Sequence, residues 1–200
     1  TDGEGVGRCR LILDPVVVRT EWQPRRPFQG WRYLDPKDAP FSSVVAVANA
    51  VHALCEGIGL QHYIKSSGSS GLHVMIPLGG LCTHDQAKMV AELLSRRIVQ
   101  QLPEHATIER VIGKRGARVY LDYLQNGQGK LLVAPFSVRP LPGAPVSMPL
   151  PWSDVNDTLD IRAHTIRNAV ARMEALGDPL LPVLSVKPDL LAAIGRLEET

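Results

Sequence analysis

The run Ser66-Ser67-Gly68-Ser69-Ser70-Gly71 constrains the fold more than any other stretch of this chain. Ser and Gly supply turn conformations that cannot continue a regular element, and short apolar segments flank the run, Gln61–Lys65 before it and Leu72–Leu78 after it. Two strands around a turn loop predict a β-hairpin. On either side of the hairpin the spacing becomes helical. Val44, Val47, Ala48, Val51, Cys55 and Ile58 recur at helical intervals, with Ser42 or Ser43 as the expected cap and Gly57 and Gly59 as the stop. Thr83-His84-Asp85-Gln86 reads as a capping box, followed by Ala87, Val90, Ala91, Leu94 and Ile98 on one face and ended by Pro103. Helices and strands mix without strict βα alternation. That predicts an α+β fold, a mixed or antiparallel sheet layered with helices.

The remaining segments fill in this plan. Arg10–Arg19 is an apolar run broken by Asp14-Pro15, and Gln23–Gly30 reads as a loop. Trp31–Asp35 is a short strand stopped by Pro36, and Arg118–Leu124 and Leu131–Pro135 are strands joined through Asn126-Gly127-Gln128-Gly129. Four prolines between Leu141 and Pro151 predict an extended, rigid crossing. Asp160–Gly177 and Pro188–Glu199 read as amphipathic helices. The 200 residues suffice for one domain with its own core. Within it, 1–30 is a divergent N-terminal segment, 141–153 the Pro-rich crossing and 154–200 a C-terminal helical part.

Charge is unevenly spread. Residues 105–150 carry Arg110, Lys114, Arg115, Arg118, Lys130 and Arg139 against Glu109 and Asp122, while 151–200 carry five basic and eight acidic side chains. A basic middle in a chain of net charge +2 is consistent with an anion-handling surface or with an ordinary solvated face. Cys9, Cys55 and Cys82 are odd in number and form no CxxC pair, which argues against a disulfide framework or a structural zinc site and favours a reducing cytoplasm. The longest nearly apolar stretch, Val44–Cys55, is too short to span a bilayer, so no membrane partner is expected.

Two features carry chemistry. The Ser/Gly loop, with Lys65 before it and His73 after it, is either a phosphate-binding nest of backbone N–H groups or a plain hairpin connector. Asp35 and Asp122 are acidic residues on strand ends. A buried, unpaired Asp costs several kcal/mol, so Asp122 needs either an Arg partner, Arg118 or Arg139, or a metal ion. The histidines at 52, 62, 73, 84, 105 and 164 show no HxxxH or HExxH spacing, and there is no GxSxG elbow for a serine hydrolase.

Together these segments resemble a known family. Lys65-Ser66-Ser67-Gly68 through Gly71-Leu72-His73-Val74 is similar to the Lys-Thr-Ser-Gly…Gly-Leu-His-Val motif in the polymerase domain of bacterial DNA ligase D, of the archaeo-eukaryotic primase superfamily. Arg118–Asn126 resembles the family's third-carboxylate motif, 134–139 and 142–147 its downstream block, and Leu34-Asp35-Pro36 the second half of its Asp-Leu-Asp-Pro motif. The resemblance runs from about residue 31 to about 185. It implies a primase-polymerase-type sheet, here as a partial domain. It also implies nucleotidyl transfer to a primer 3′-hydroxyl in DNA end-joining repair, often of ribonucleotides, with divalent Mn or Mg.

By the same resemblance, Asp35 and Asp122 are the catalytic metal-binding carboxylates. Ser67, His73, Arg139 and, less directly, Lys65 hold the nucleoside triphosphate. Lys114, Arg115 and Arg118 are candidates for DNA phosphates. The implied partners are DNA ends, the ligase and phosphoesterase modules of the full enzyme and a DNA-end-binding protein, in a bacterial cytoplasm near the nucleoid. Two departures stand out. Tyr33 occupies the place of the first Asp of the Asp-Leu-Asp motif, and Asp14 stands where the family has an active-site His, which makes Asp14 a further candidate ligand. The chain also begins at Thr1, without the family's N-terminal DNA-holding third. Impaired catalysis, or a non-catalytic nucleotide- or DNA-end-binding remnant, is the expectation from these departures.

Overall fold

The computed structural model describes residues 39–80 and 82–199, together with the backbone of two strands at 9–12 and 33–35. In chain order the elements are β1 (Cys9–Ile12), β2 (Tyr33–Asp35), α1 (Phe41–Gly57), β3 (Tyr63–Ser66), β4 (Leu72–Met75), α2 (His84–Gln101), β5 (Ala106–Thr107), β6 (Val119–Asp122), β7 (Pro149–Leu150), α3 (Ala169–Leu176) and α4 (Leu190–Glu199). The strands form one sheet in the order β5-β6-β2-β1-β4-β3-β7. β1 runs parallel to β4 and β5 parallel to β6; the other pairs are antiparallel. This is the mixed, helix-layered α+β sheet that the sequence predicts.

Side-chain alternation divides the sheet into two faces. Ile64, Leu72, Val74, Val119 and Leu121 turn to one face and are sealed there by Val44, Val47, Ala48 and Val51 of α1 and by Ala87, Val90, Ala91, Leu94 and Ile98 of α2. Burying each Val, Leu or Ile side chain among these contributes about 1.5–3 kcal/mol, and both helices present the residues that their spacing predicted. On the other face Met75 packs with Leu180 and Val183, flanked by Tyr63 and Leu132. That second face also holds the polar residues of the candidate site.

Several local expectations are corrected. α1 takes Pro40 as its N-cap with no side-chain cap hydrogen bond. Ser43 is buried inside the first turn, where its hydroxyl meets His105 Nδ1 at 3.1 Å. The strand expected at 131–135 is irregular, and the last strand is instead β7, within the Pro-rich crossing, antiparallel to β3. A pairing partner is what makes a strand, and β3 offers its free edge to 149–150.

The helix expected over 160–177 begins only at Ala169. Before it, Asp160 Oδ1 accepts from Arg162 N at 2.8 Å and Asn168 Oδ1 from Thr165 N at 2.8 Å. Such side-chain bonds give the backbone an alternative to the helix. The capping box at Thr83 forms as read, with both reciprocal hydrogen bonds. Cys55 is a buried free thiol.

Candidate nucleotide and metal site

Strand register assembles the site. Lys65 on β3 lies opposite His73 on β4, His73 opposite position 10 on β1, position 10 opposite position 33 on β2, and position 33 opposite Asp122 on β6. Lys65, His73 and Asp122 lie in one register row across the sheet, on the face away from α1 and α2, with the backbone of positions 10 and 33 completing the register between them. Asp35 pairs with Tyr120, two residues along on the same face. The row therefore joins three of the positions that the sequence singles out, Lys65, His73 and Asp122, and places Asp35 diagonally beside Asp122.

At the β3 end, Lys65 is fully buried and its ammonium donates to Ser147 Oγ at 2.5 Å and to Ser66 O at 3.4 Å. Ser147 in turn donates to Ser66 O at 2.8 Å, and Ser66 Oγ bridges Val146 O and Met148 N. A buried ammonium needs such oxygens. Ser147 was not legible as Lys65's partner, since the two are 82 residues apart.

The Ser/Gly loop differs from an open nest. Ser67 Oγ accepts from the backbone N–H groups of Ser69, Ser70 and Gly71 at 3.0–3.1 Å, and Ser67 N donates to Gly71 O. The backbone donors that a free nest would present are thus taken up by the loop's own serine, whose hydroxyl hydrogen is left to donate. Gly68 has φ +68°, and a Cβ there would lie 2.7 Å from Ser147 N and 2.8 Å from Arg139 Cγ. Arg139 is therefore packed against the loop, held by its own N–H to Pro145 O at 2.8 Å. Its Nε is buried and has no hydrogen-bond partner among the described residues.

At the β6 end, Asp122 is half-buried. Its Oδ1 accepts from Leu124 N at 3.2 Å, which starts the 3₁₀ turn Tyr123–Asn126 and ends the strand. Tyr120 donates its hydroxyl to the same oxygen at 3.4 Å. Burial, then the Asp122 charge, pushes the Tyr120 phenol up to about 12, so it stays a donor. Among the described residues Asp122 forms no ion pair, so neither Arg118 nor Arg139 is its partner.

Arg118 donates to Arg115 O and Lys114 O. Arg115 is buried, stacks 3.7 Å from the Tyr120 ring centroid and donates to Glu109 O and Arg110 O. Of the three basic residues considered for DNA, only Lys114 stands exposed. Asp14 lies outside the described residues.

The mixed sheet, the two helices that cover one face and the polar row on the other make an α+β fold with a polar, strand-borne site. Residues 12–180 match the LigD primase-polymerase domain, and the chain belongs to that family, one of metal-dependent nucleotidyltransferases. It is 32% identical over 172 residues to the bifunctional non-homologous end joining protein LigD of Bacillus subtilis, covering 85% of this chain and 28% of that protein. It is 27% identical over 166 residues to the multifunctional non-homologous end joining protein LigD of Pseudomonas aeruginosa, covering 82% of this chain and 20% of that one. The polymerase domain of Mycobacterium tuberculosis ligase D, solved in complex with DNA, superimposes with a TM-score of 0.68 at 28% identity, over 75% of this chain and 52% of that one. The chain thus spans less than a third of the length of these two LigD proteins.

The backbone register of positions 35 and 122 is compatible with one shared divalent ion. Diagonal neighbours on one sheet face lie about 7–8 Å apart, a gap that two aspartates and one hard cation at about 2.1–2.5 Å per bond can span. Positions 35 and 122 have that relation. Position 33, the direct register partner of Asp122, is a tyrosine.

Proposed function

We propose that this chain is an end-joining repair polymerase domain that adds nucleotides, ribonucleotides among them, to a primer 3′-hydroxyl at a broken DNA end. The observation that carries this reading is the buried, unpartnered Arg139 Nε packed on the Ser/Gly loop, beside the Lys65–His73 end of a row that terminates in Asp122. A phosphate oxygen would satisfy this buried guanidinium N–H, and its place against the Ser/Gly loop is what distinguishes it from the Arg97 and Arg172 Nε atoms, which also have no acceptor among the described residues. In this reading Arg139, Ser67 and His73 hold the triphosphate. Lys65 braces the loop from below through Ser147 and adds positive charge. Asp35 and Asp122 hold Mg²⁺ or Mn²⁺, which when bound offsets phosphate charge and lowers the pKa of a ligated hydroxyl. Tyr120 keeps the Asp122 carboxylate oriented.

Lys114 offers its charge to DNA phosphate, and Arg115 and Arg118 shape the turn that presents it. Residues 1–30, 141–153 and 154–200 are proposed as a divergent N-terminal segment, a crossing and a helical part of the same domain. Ligase and phosphoesterase modules and a DNA-end-binding protein are the proposed partners, in the cytoplasm.

A second reading rests on Tyr33. Its place directly opposite Asp122 removes a carboxylate from the metal site, which favours a domain that binds nucleotide or DNA ends with weakened or no transfer. Primer extension with Mn²⁺ and labelled nucleotides, run beside nucleotide and DNA binding, separates the two. Extension supports the polymerase, and binding without extension supports the remnant. Absence of both at micromolar protein overturns the functional reading.

A further inference from the structure

A second cluster of metal-ligating side chains lies apart from the polar row, where the last turns of α1 meet the chain entering β3. His52 and Glu56 are four residues apart on α1 and so share one helix face, and His62 immediately precedes β3. The three ligand atoms lie within 4.8 Å of one another. His52 Nδ1 is 2.6 Å from His62 Nε2, and Glu56 Oε1 is 4.0 Å from the same nitrogen. We propose that His52, Glu56 and His62 form a binding site for a divalent transition-metal ion of the Zn²⁺ class, with water as the fourth ligand.

The surroundings are those of a built site. His62 Nδ1 lies 2.8 Å from Leu60 O, which fixes that nitrogen as the N–H and leaves the Nε2 lone pair facing the cluster. The His52 ring stacks on Trp152 at 4.3 Å between centroids, and the Trp152 indole N–H donates to His62 O at 3.2 Å. Both imidazoles are thus held by groups other than each other.

His62 is only 7% exposed, and burial lowers its pKa, which keeps the ring neutral as a ligand must be. Glu56 is the open side, its side chain 68% exposed, where water and the ion can enter. Tetrahedral Zn²⁺ at about 2.0–2.1 Å from each donor sets roughly 3.3–3.4 Å between donor atoms. The two imidazoles must part slightly and Glu56 must close. The proton between the nitrogens moves to the outer His52 Nε2, a tautomer change with no net release. Two nitrogens and one carboxylate favour Zn²⁺ or Co²⁺ over Mg²⁺, which takes oxygen ligands. Bound there, the ion pins the end of α1 to the strand that carries Lys65.

The test is titration of the full chain with Co²⁺, followed by the visible ligand-field bands of the four-coordinate ion and then displacement by Zn²⁺. One Co²⁺ per chain is expected, displaced stoichiometrically by Zn²⁺. His52→Gln should weaken binding by about tenfold or more. Glu56→Gln, an exposed change that leaves the fold intact by circular dichroism, should weaken it in the same sense. Asp122→Asn should leave the bands unchanged, which separates this site from the polymerase metal site. Three results would overturn the proposal: no band at several-fold excess of Co²⁺, bands that persist in both His52→Gln and Glu56→Gln, or bands lost in Asp122→Asn alone.

Discussion

Gly68 shows what single residues decide here. Its φ of +68° costs an L side chain about 1–2 kcal/mol, and a Cβ would also collide with the backbone at Ser147 and with the Arg139 stem. Gly80 has nearly the same φ, +67°, with nothing within 4 Å of a Cβ. Chemical denaturation should therefore show Gly68→Ala costing distinctly more than Gly80→Ala, and only Gly68→Ala should weaken binding of labelled nucleoside triphosphate. Equal costs with unchanged binding would mean that the Arg139–loop contact is unimportant. Tyr33 makes the converse case. Tyr33→Asp places a carboxylate opposite Asp122, and Mn²⁺-dependent primer extension should rise by roughly tenfold or more, equivalent to about 1.4 kcal/mol of barrier. An unchanged rate would show that position 33 does not limit transfer. Asp122 was legible because an Asp amid apolar strand residues is costly, the loop because of its Ser/Gly run, and Arg139's role in holding triphosphate through the family resemblance. Ser147 and Tyr120 were not, because an ordinary Ser or Tyr gains its role only when a distant strand brings it to Lys65 or Asp122.

Elements were legible where their signals are local and were missed where partners decide. α2 has its stop and start written within it. Thr83 Oγ1 accepts from Gln86 N at 3.2 Å while Gln86 Oε1 accepts from Thr83 N at 2.8 Å. Thr83→Ala should cost about 1 kcal/mol, within the usual 0.5–2 for a lost N-cap. α1 has no side-chain cap, so Ser42→Ala, at the exposed residue expected to cap it, should change stability by no more than about 0.5 kcal/mol. Parallel urea melts of the two variants check both values, and a large cost at Ser42 would contradict the Pro40 start. The apolar stripes of α1 and α2 follow from helical periodicity alone. β7 could not be read that way. Pro149 and Leu150 carry no strand pattern, and they become a strand only because Ile64 and Lys65 lie opposite them. The late start of α3 has the same origin in reverse: apolar spacing ran back to 160, but Asp160 and Asn168 bond the intervening backbone into turns.

At the scale of the molecule, strand order is the part that sequence withholds. Nothing local says that β1 lies parallel to β4, that β1 pairs with β2, or that β6 crosses to β2, yet these three pairings, added to the β3–β4 hairpin, build the row from Lys65 to Asp122. The fold class was legible because patterning separates helices from strands, while the row depends on long-range register. Stability of the whole chain against pH follows from two histidines whose pKa burial lowers, buried His62 and half-buried His164. Burial, as the leading cause, lowers the pKa of His62, and the neighbouring His52 adds to the shift while the Leu60 carbonyl and Glu56 oppose it. His164 is lowered by burial first and by Arg172 next, against Asp154 and Asp160. Each ring therefore has a folded value below its ordinary 6.5. The unfolded chain takes up protons first as pH falls, so the contribution of both rings is fully present above about 6.5 and is lost progressively below it. With chelator present to keep metal from the His52–His62 cluster, the urea midpoint should hold steady from about pH 8 to 7 and drop between about pH 6.5 and 5. A His62→Gln, His164→Gln double variant should show a shallower drop over the same window, because neither position can then take up a proton on unfolding. An equal drop in the variant would assign the acid sensitivity to other groups and would mean that these two rings are not held neutral by burial.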